Sequence, residues 1–413
     1  MPKLYPLFGM LSFLLLAGTA SGQPLDTLIA RAYRNNPDLR MSRLQYEAAM
    51  ERRGQVNELP NPEFGLGVFL LPIQTRLGPQ RLRLSATQRL PWMGSLEARE
   101  DLALARAREA YLQEDLLSLD LDFAIREAYY RLYEIRQTQA IIRRSLALYR
   151  SLEDYALAQV ENGEGSTAEV LRVQLRIQAA EQDIRRLENE RNAPLSRLNQ
   201  ALNRPLATPV DIPDTLAFAP IALNRDTVGN YLQNYHPRLR QLDLQEAVAQ
   251  REIDLNDLNA RPSFSVGLDY IMLGKRPDMD VEGSGRDALM IRGSLTVPIF
   301  QKSFEARERE ERLRIDALQH QKTSWENRYL AELEQAYVQY RDAQLQLELY
   351  LEQGRTLDSA IDILLAEYSN EGTGLDELLD LYLQQSELDQ GTLEAVVQSY
   401  MARAAIHRLV PLN

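Results

Sequence analysis

Residues Ser263 to Met272 alternate with a period of two. Phe264, Val266, Leu268, Tyr270 and Met272 fall on one face, and Ser263, Ser265, Gly267 and Asp269 fall on the other. A period of two with one apolar side predicts a β-strand. Leu289 to Val297 repeats the pattern, with Leu289, Ile291, Leu295 and Val297 set against Met290, Arg292, Ser294 and Thr296. Two earlier runs read the same way. Phe64, Leu66, Val68 and Leu70 form one, and Leu82, Leu84, Ala86 and Leu90 form the other, set against Arg81, Arg83, Ser85, Thr87 and Arg89. The chain thus carries four strands of about ten residues, the length that crosses a bilayer when tilted. Trp92, just after the second, suits a membrane-interface position and equally a domain core.

The rest of the chain has helical periodicity. Residues 24–58 read as helix. From Gly94 to Glu161 there is neither proline nor internal glycine, which predicts roughly 100 Å of unbroken helix. Two apolar seams run along it: Leu112, Leu116, Leu119, Phe123, Tyr130 and Tyr133, then Leu117, Leu121, Ala124, Ala128, Leu132 and Ile135. A two-stranded coiled coil needs one seam, so two seams imply two neighbours. Asn162 to Ser166 breaks the helix, with glycine as the stop and Ser166 or Thr167 as the next cap. A return helix runs to about Asn203, followed by a connection with four prolines, Pro205 to Pro220. The second long helix carries a heptad seam, Tyr329, Leu333, Ala336, Tyr340, Ala343, Leu347, Tyr350, Gly354, Leu357, Ile361, Leu364 and Tyr368.

The two halves repeat one another. Asn36-Pro37-Asp38-Leu39-Arg40 returns as His236-Pro237-Arg238-Leu239-Arg240, and Pro62-Glu63-Phe64 returns as Pro262-Ser263-Phe264, each 200 residues on. Ser95 to Glu100 returns as Ser303 to Glu308, and Asn162 with Glu169 returns as Asn370 with Glu377, now 208 residues on. The loop between the second pair of strands is longer and accounts for the change. The predicted layout is a signal peptide at 1–22, repeat 1 at 23–203, a linker at 204–222 and repeat 2 at 223–413. Each repeat holds helix, two strands, long helix, turn and helix. The strands are expected at about 62–71, 81–91, 262–273 and 288–299, and the helical hairpins at 94–203 and 302–409.

Composition narrows the function. Net charge is -12, which argues against a nucleic-acid partner. Cysteine is absent and the three histidines, His236, His320 and His407, lie far apart. No thiolate or histidine metal site, catalytic cluster or cofactor motif is expected, and no enzyme. Only 4 of the 47 basic residues are lysine, a bias with no functional account. Lys3, the apolar run Leu4 to Ala17 and the small residues Ala20-Ser21-Gly22 resemble a secretory leader. Beyond it no apolar run reaches the length of a membrane-spanning helix. Any membrane passage therefore falls to the strands. A strand in hydrocarbon must pair on both sides, and four strands are too few to close a barrel. Several copies must share one, with the helical arms closing a second barrel on the same axis.

The duplication, the short strands and the long helices resemble the TolC family of outer-membrane efflux channels over essentially the whole mature chain. The most specific stretch is Tyr368-Ser369-Asn370-Glu371-Gly372-Thr373-Gly374-Leu375-Asp376-Glu377-Leu378-Leu379-Asp380, similar to the family's tip turn. Gly163 to Leu171 is its first-repeat version. Gly372 departs from the pattern, sitting one place later than usual. The resemblance implies a mainly α fold with membrane β: a homotrimer with a 12-stranded β-barrel continuous with a 12-helix α-barrel. It implies residence in the outer membrane, with lipid around the strands and helices in the periplasm. It also implies docking to a periplasmic adaptor (membrane fusion) protein and an inner-membrane RND-type pump. By position, the acidic rings of the periplasmic gate would be Glu377 and Asp380. Glu169 matches Glu377, whereas Arg172 replaces the acid matching Asp380. The turns Gly163, Gly165, Ser166, Gly372, Thr373 and Gly374 would meet the adaptor, and Arg81, Arg83, Arg89 and Asp269 would face the β-lumen. The family implies a passive export duct. The compact length and proline-rich linker lean toward members serving heavy-metal pumps. The alternatives are a periplasmic coiled-coil structural or adaptor protein, or the secretion channel of a type I exporter.

Overall fold

A computed structural model describes residues 25–163, 165–221, 224–371 and 374–410, without the side chains of 369–371. The proposed leader, 1–22, lies outside the described residues. In the first half, α1 (Leu25–Asn35) and α2 (Pro37–Val56) lead into β1 (Glu63–Val68), β2 (Gln74–Thr75) and β3 (Gly78–Leu90). Then come α3 (Ser95–Glu161), α4 (Thr167–Glu190) and α5 (Asn192–Ala201). The second half runs α6 (Arg225–Tyr235), α7 (Pro237–Asn259), β4 (Ser263–Leu273), β5 (Ala288–Thr296), α8 (Lys302–Glu371) and α9 (Leu375–Leu409).

Three local departures from the expected pattern have physical causes. The helix expected at 24–58 is two, because Asn36 is extended and its side chain accepts from the N–H groups of Asp38 and Leu39 at 2.9 and 3.2 Å. Pro37 then starts α2, where its missing N–H costs nothing. His236 and Pro237 do the same between α6 and α7. The return helix breaks at Arg191, three residues before Pro194, which has no N–H to give the carbonyl of Glu190. The first strand stops at Val68, and the two-residue β2 pairs with β3.

One compact unit comprises the described residues of 1–34, 124–219 and 343–401. Near the turns its core joins Tyr149, Leu152 and Ala156 of α3 with Val170 and Val173 of α4. Leu357, Ile361 and Tyr368 of α8 and Leu375, Leu378, Leu379 and Tyr382 of α9 complete it. A second cluster holds Ile135, Ile142 and Leu146 against Ala180 and Leu187. Each side chain so buried contributes about 1.5–3 kcal/mol. The proline-rich linker is pinned rather than loose. The Tyr133 hydroxyl accepts from Leu216 N–H at 2.9 Å, the Ser399 hydroxyl accepts from Ala219 N–H at 3.0 Å, and Asn199 donates to the carbonyls of Leu206 and Thr208 at 2.6 and 2.9 Å.

The other unit comprises the described residues of 35–123, 220–342 and 402–413. Its helical core packs Val228, Leu232 and Leu239 with Tyr329, Leu333 and Ala336, and with Ile406, Leu409 and Val410. It also holds the sheet, in strand order β1-β3-β4-β5 with every pair antiparallel. The β3–β4 pairing joins the two halves of the sequence. Along α8 the whole heptad seam, Tyr329 to Tyr368, is buried or half-buried.

Candidate functional site

The sheet is inverted relative to one in water. Phe64, Leu66, Val68, Val266, Leu268, Leu289 and Ile291 share its apolar face, and all are exposed, Ile291 at 79%. On the opposite face Asp269 is 0% exposed. A sheet in water buries its apolar face; this one buries a carboxylate and exposes its aliphatics.

The register explains how a carboxylate survives there. Ser85 lies opposite Asp269, Arg83 lies opposite Ile271, and Gly267 lies opposite Arg292. Asp269 therefore sits diagonally between two arginines on neighbouring strands. Arg83 donates to both its carboxylate oxygens, at 3.2 and 2.7 Å. Arg292 lies 3.9 Å away and donates to the Thr87 hydroxyl at 3.0 Å. Gly267 makes this possible: a Cβ there would stand 3.3 Å from both the Arg292 guanidinium and the Thr87 hydroxyl. Arg89 pairs with Glu63 at 2.6 Å. Arg81 behaves differently from its sequence neighbours. The β3–β4 register shifts between Gln80 and Leu82, so Arg81 is the extra residue of a bulge and packs beside Gly274. Among the described residues β1 and β5 each pair on one side only, leaving two open sheet edges.

The hairpin turns are the second feature. Gly163 has φ +80° and Gly374 has φ +93°, conformations that favour glycine. The Gly165 N–H donates to the Gln159 carbonyl at 3.0 Å, and a Cβ at Gly165 would lie 2.9 Å from the Gln159 Cβ. Ser166 is the N-cap of α4, its hydroxyl accepting from Ala168 N–H at 3.2 Å. Gly372 and Thr373 lie outside the described residues. Glu377 and Asp380 are both exposed in the first turns of α9. Asp380 lies 3.7 Å from Arg176, and Asp376 pairs with Arg172. Half-exposed pairs of this kind contribute under about 1 kcal/mol each. Burial, with Tyr155 and Glu169 nearby, pushes the Tyr368 hydroxyl up to about 12.

Residues 28–204 match the family model described as outer membrane efflux protein. Over that stretch the chain is similar to the outer membrane efflux protein family. Its fold is similar to that of the outer-membrane channel OprN, with a TM-score of 0.76 at 19% identity over 93% of this chain and 89% of that one. CusC, whose structures concern folding and transmembrane channel formation, gives 0.75 at 15% identity over 93% and 91%. The MtrE outer membrane channel of Neisseria gonorrhoeae, solved in its open state, gives 0.74 at 18% identity over 93% and 88%. No curated protein matched the sequence.

The structure brings Arg83 and Asp269 together and sets Arg81 apart. It adds Arg292, a polar-face residue of the fourth long strand, to their cluster. It also adds Arg172 and Arg176 to the acidic turn. The alternation of β5 places Arg292 on the polar face, but only the strand order puts it beside Asp269. Among the described residues no helix is long and apolar enough to cross a membrane, and no group of His, Asp or Glu is placed to hold a metal ion.

Proposed function

We propose that this chain is one third of a passive export duct across the outer membrane. The observation that carries it is the inverted sheet with two open edges. An exposed aliphatic face suits lipid, and unpaired edges must find partners there. Three copies would supply twelve strands, with β1 of one copy pairing with β5 of the next, and the α-helical arms would continue the wall into the periplasm. The polar face of the sheet, with Arg83, Arg89 and Asp269, would then line the lumen. The turns at Gly163, Gly165, Ser166 and Gly374, with Gly372 and Thr373, would meet a periplasmic adaptor coupled to an inner-membrane RND-type pump. Glu377 and Asp380 would ring the periplasmic entrance, with Asp380 partly neutralised by Arg176.

The test is subunit counting in detergent by light scattering, followed by planar-bilayer recording. Three subunits and discrete conductance steps are expected. A monomer without conductance overturns the proposal. Glu377→Ala with Asp380→Ala is expected to lower cation preference, and unchanged selectivity removes the gate assignment alone. An export assay with heavy-metal cations as its first arm tests the cargo.

A further inference from the structure

The polar face of the sheet is not electrically neutral, and its charges are not equally available. Along the ladders it carries Arg83, Arg89 and Arg292 against Glu63 and Asp269. The Asp269 side chain has 0% exposure, whereas those of Arg83 and Arg292 are 36% and 43% exposed. The carboxylate lies beneath the two guanidiniums, so water on this face meets the cations first. Gly65, Gly67, Ser85, Gly267 and Ser265 leave room around the guanidiniums, and Ile271 and Met290 are the larger apolar neighbours on that face. Arginine holds its charge at every working pH, and rings of arginine favour anions in a narrow pore.

We propose that this face is a guanidinium belt that admits anionic groups ahead of cations of similar size. Arg83 and Arg292 set the preference, and Asp269 is a positioning residue that holds both. The proposal rests on the duct described above. It gives the β section a polarity opposite to that of the acidic entrance. The permeant best suited to the belt carries a carboxylate, phosphate or sulfate, or is a metal bound in an anionic complex, rather than a bare cation.

The experiment is reversal-potential measurement in planar bilayers under a potassium chloride gradient. It is made in the wild type and in the Glu377→Ala, Asp380→Ala background, which removes the acids of the entrance. Arg83→Gln with Arg292→Gln is expected to lower the chloride-to-potassium permeability ratio by about twofold or more. Arg89→Gln, at an exposed position outside the buried cluster, is expected to lower it in the same direction if the double variant does not assemble. Asp269→Asn is expected to shift the ratio, and Asp269→Glu to restore it. Conducting channels whose ratio is the same in all these variants overturn the belt and leave the duct standing. Absence of conductance in the wild type removes the duct, and the belt with it.

Discussion

His236 offers a test of the helical framework that is independent of transport. It is 3% exposed, its ring lies 4.2 Å from that of Tyr329, and its Nδ1 accepts from Arg238 N–H at 3.1 Å to cap α7. Burial first, then Arg238 and Arg408, lower its pKa from 6.5 to about 4. The unfolded chain takes up the proton near 6.5 and the folded chain only near 4. Between those values the unfolded state holds more protons, so stability falls as pH falls. Above the window and below it the contribution is flat. The loss across the whole window is about 3 kcal/mol, from the shift in pKa at about 1.4 kcal/mol per unit. Asn36 does the same capping work in the first half of the chain without titrating. His236→Asn is therefore expected to keep the cap and lose the pH dependence. At about pH 7.5 it is less stable by about 1–3 kcal/mol, because the ring's packing is lost. As pH falls toward about 4.5 the wild type loses that advantage. Denaturant unfolding in detergent, followed by far-UV circular dichroism at several pH values, reads both effects. Equal pH slopes in the two proteins would refute the assignment of the proton to His236.

Leu378 is fully buried in the core beneath the turns, so Leu378→Ala is expected to cost about 3–5 kcal/mol and to expose the hairpin ends to limited proteolysis. Gly163→Ala is expected to cost about 1–2 kcal/mol from the left-handed backbone alone. Gly165→Ala is expected to cost more, because its Cβ would meet the backbone N of Val160 at 3.0 Å as well as Gln159. Thermal melts of the two variants side by side give the order, and a less damaging Gly165 change would contradict the contact.

The strands are readable because an apolar face turned outward, as the proposed lipid contact requires, imposes the same alternation as burial in a core; Phe264 to Tyr270 shows it, and Ile271 on the polar face interrupts it. The long helices are readable from the absence of breakers between Ser95 and Glu161, and the α8 seam from its heptad. The bulge at Arg81 is not, since a polar residue between Gln80 and Leu82 carries no mark of being the extra residue opposite β4. The split at Asn36 has its signals in the chain, a capping side chain followed by Pro37, but the apolar spacing runs across both helices and hides it. The Arg83–Asp269–Arg292 cluster depends on which strands are neighbours, and strand order is a property of the whole sheet. The linker's order rests in part on single hydroxyls from Tyr133 and Ser399, distant in sequence from what they hold.

The acidic turn shows how a duplication becomes a complementary pair. In identical repeats the ends of α4 and α9 would carry like charges facing one another. Here α4 presents Arg172 and Arg176, and α9 presents Asp376 and Asp380, and the pairs form across the two helices. Arg172 stands where the second half has Asp380, Arg176 where it has Gln384, and Asp376 where the first half has Ala168, so three differences between the halves turn repulsion into attraction. Counted over Arg172, Arg176, Asp376, Glu377 and Asp380, two positive charges face three negative, leaving one negative charge per chain. Arg172→Asp would place a carboxylate opposite Asp376 and restore the like-charged arrangement. The pair is half exposed, so the stability cost is under about 1 kcal/mol at ordinary salt. It should shrink as salt is raised from about 0.05 to about 0.5 M, because the screening length contracts toward the separation of the charges. A melting-temperature difference that does not change with salt would mean that Arg172 acts through packing, and that the charge complementarity of the two hairpin ends is incidental.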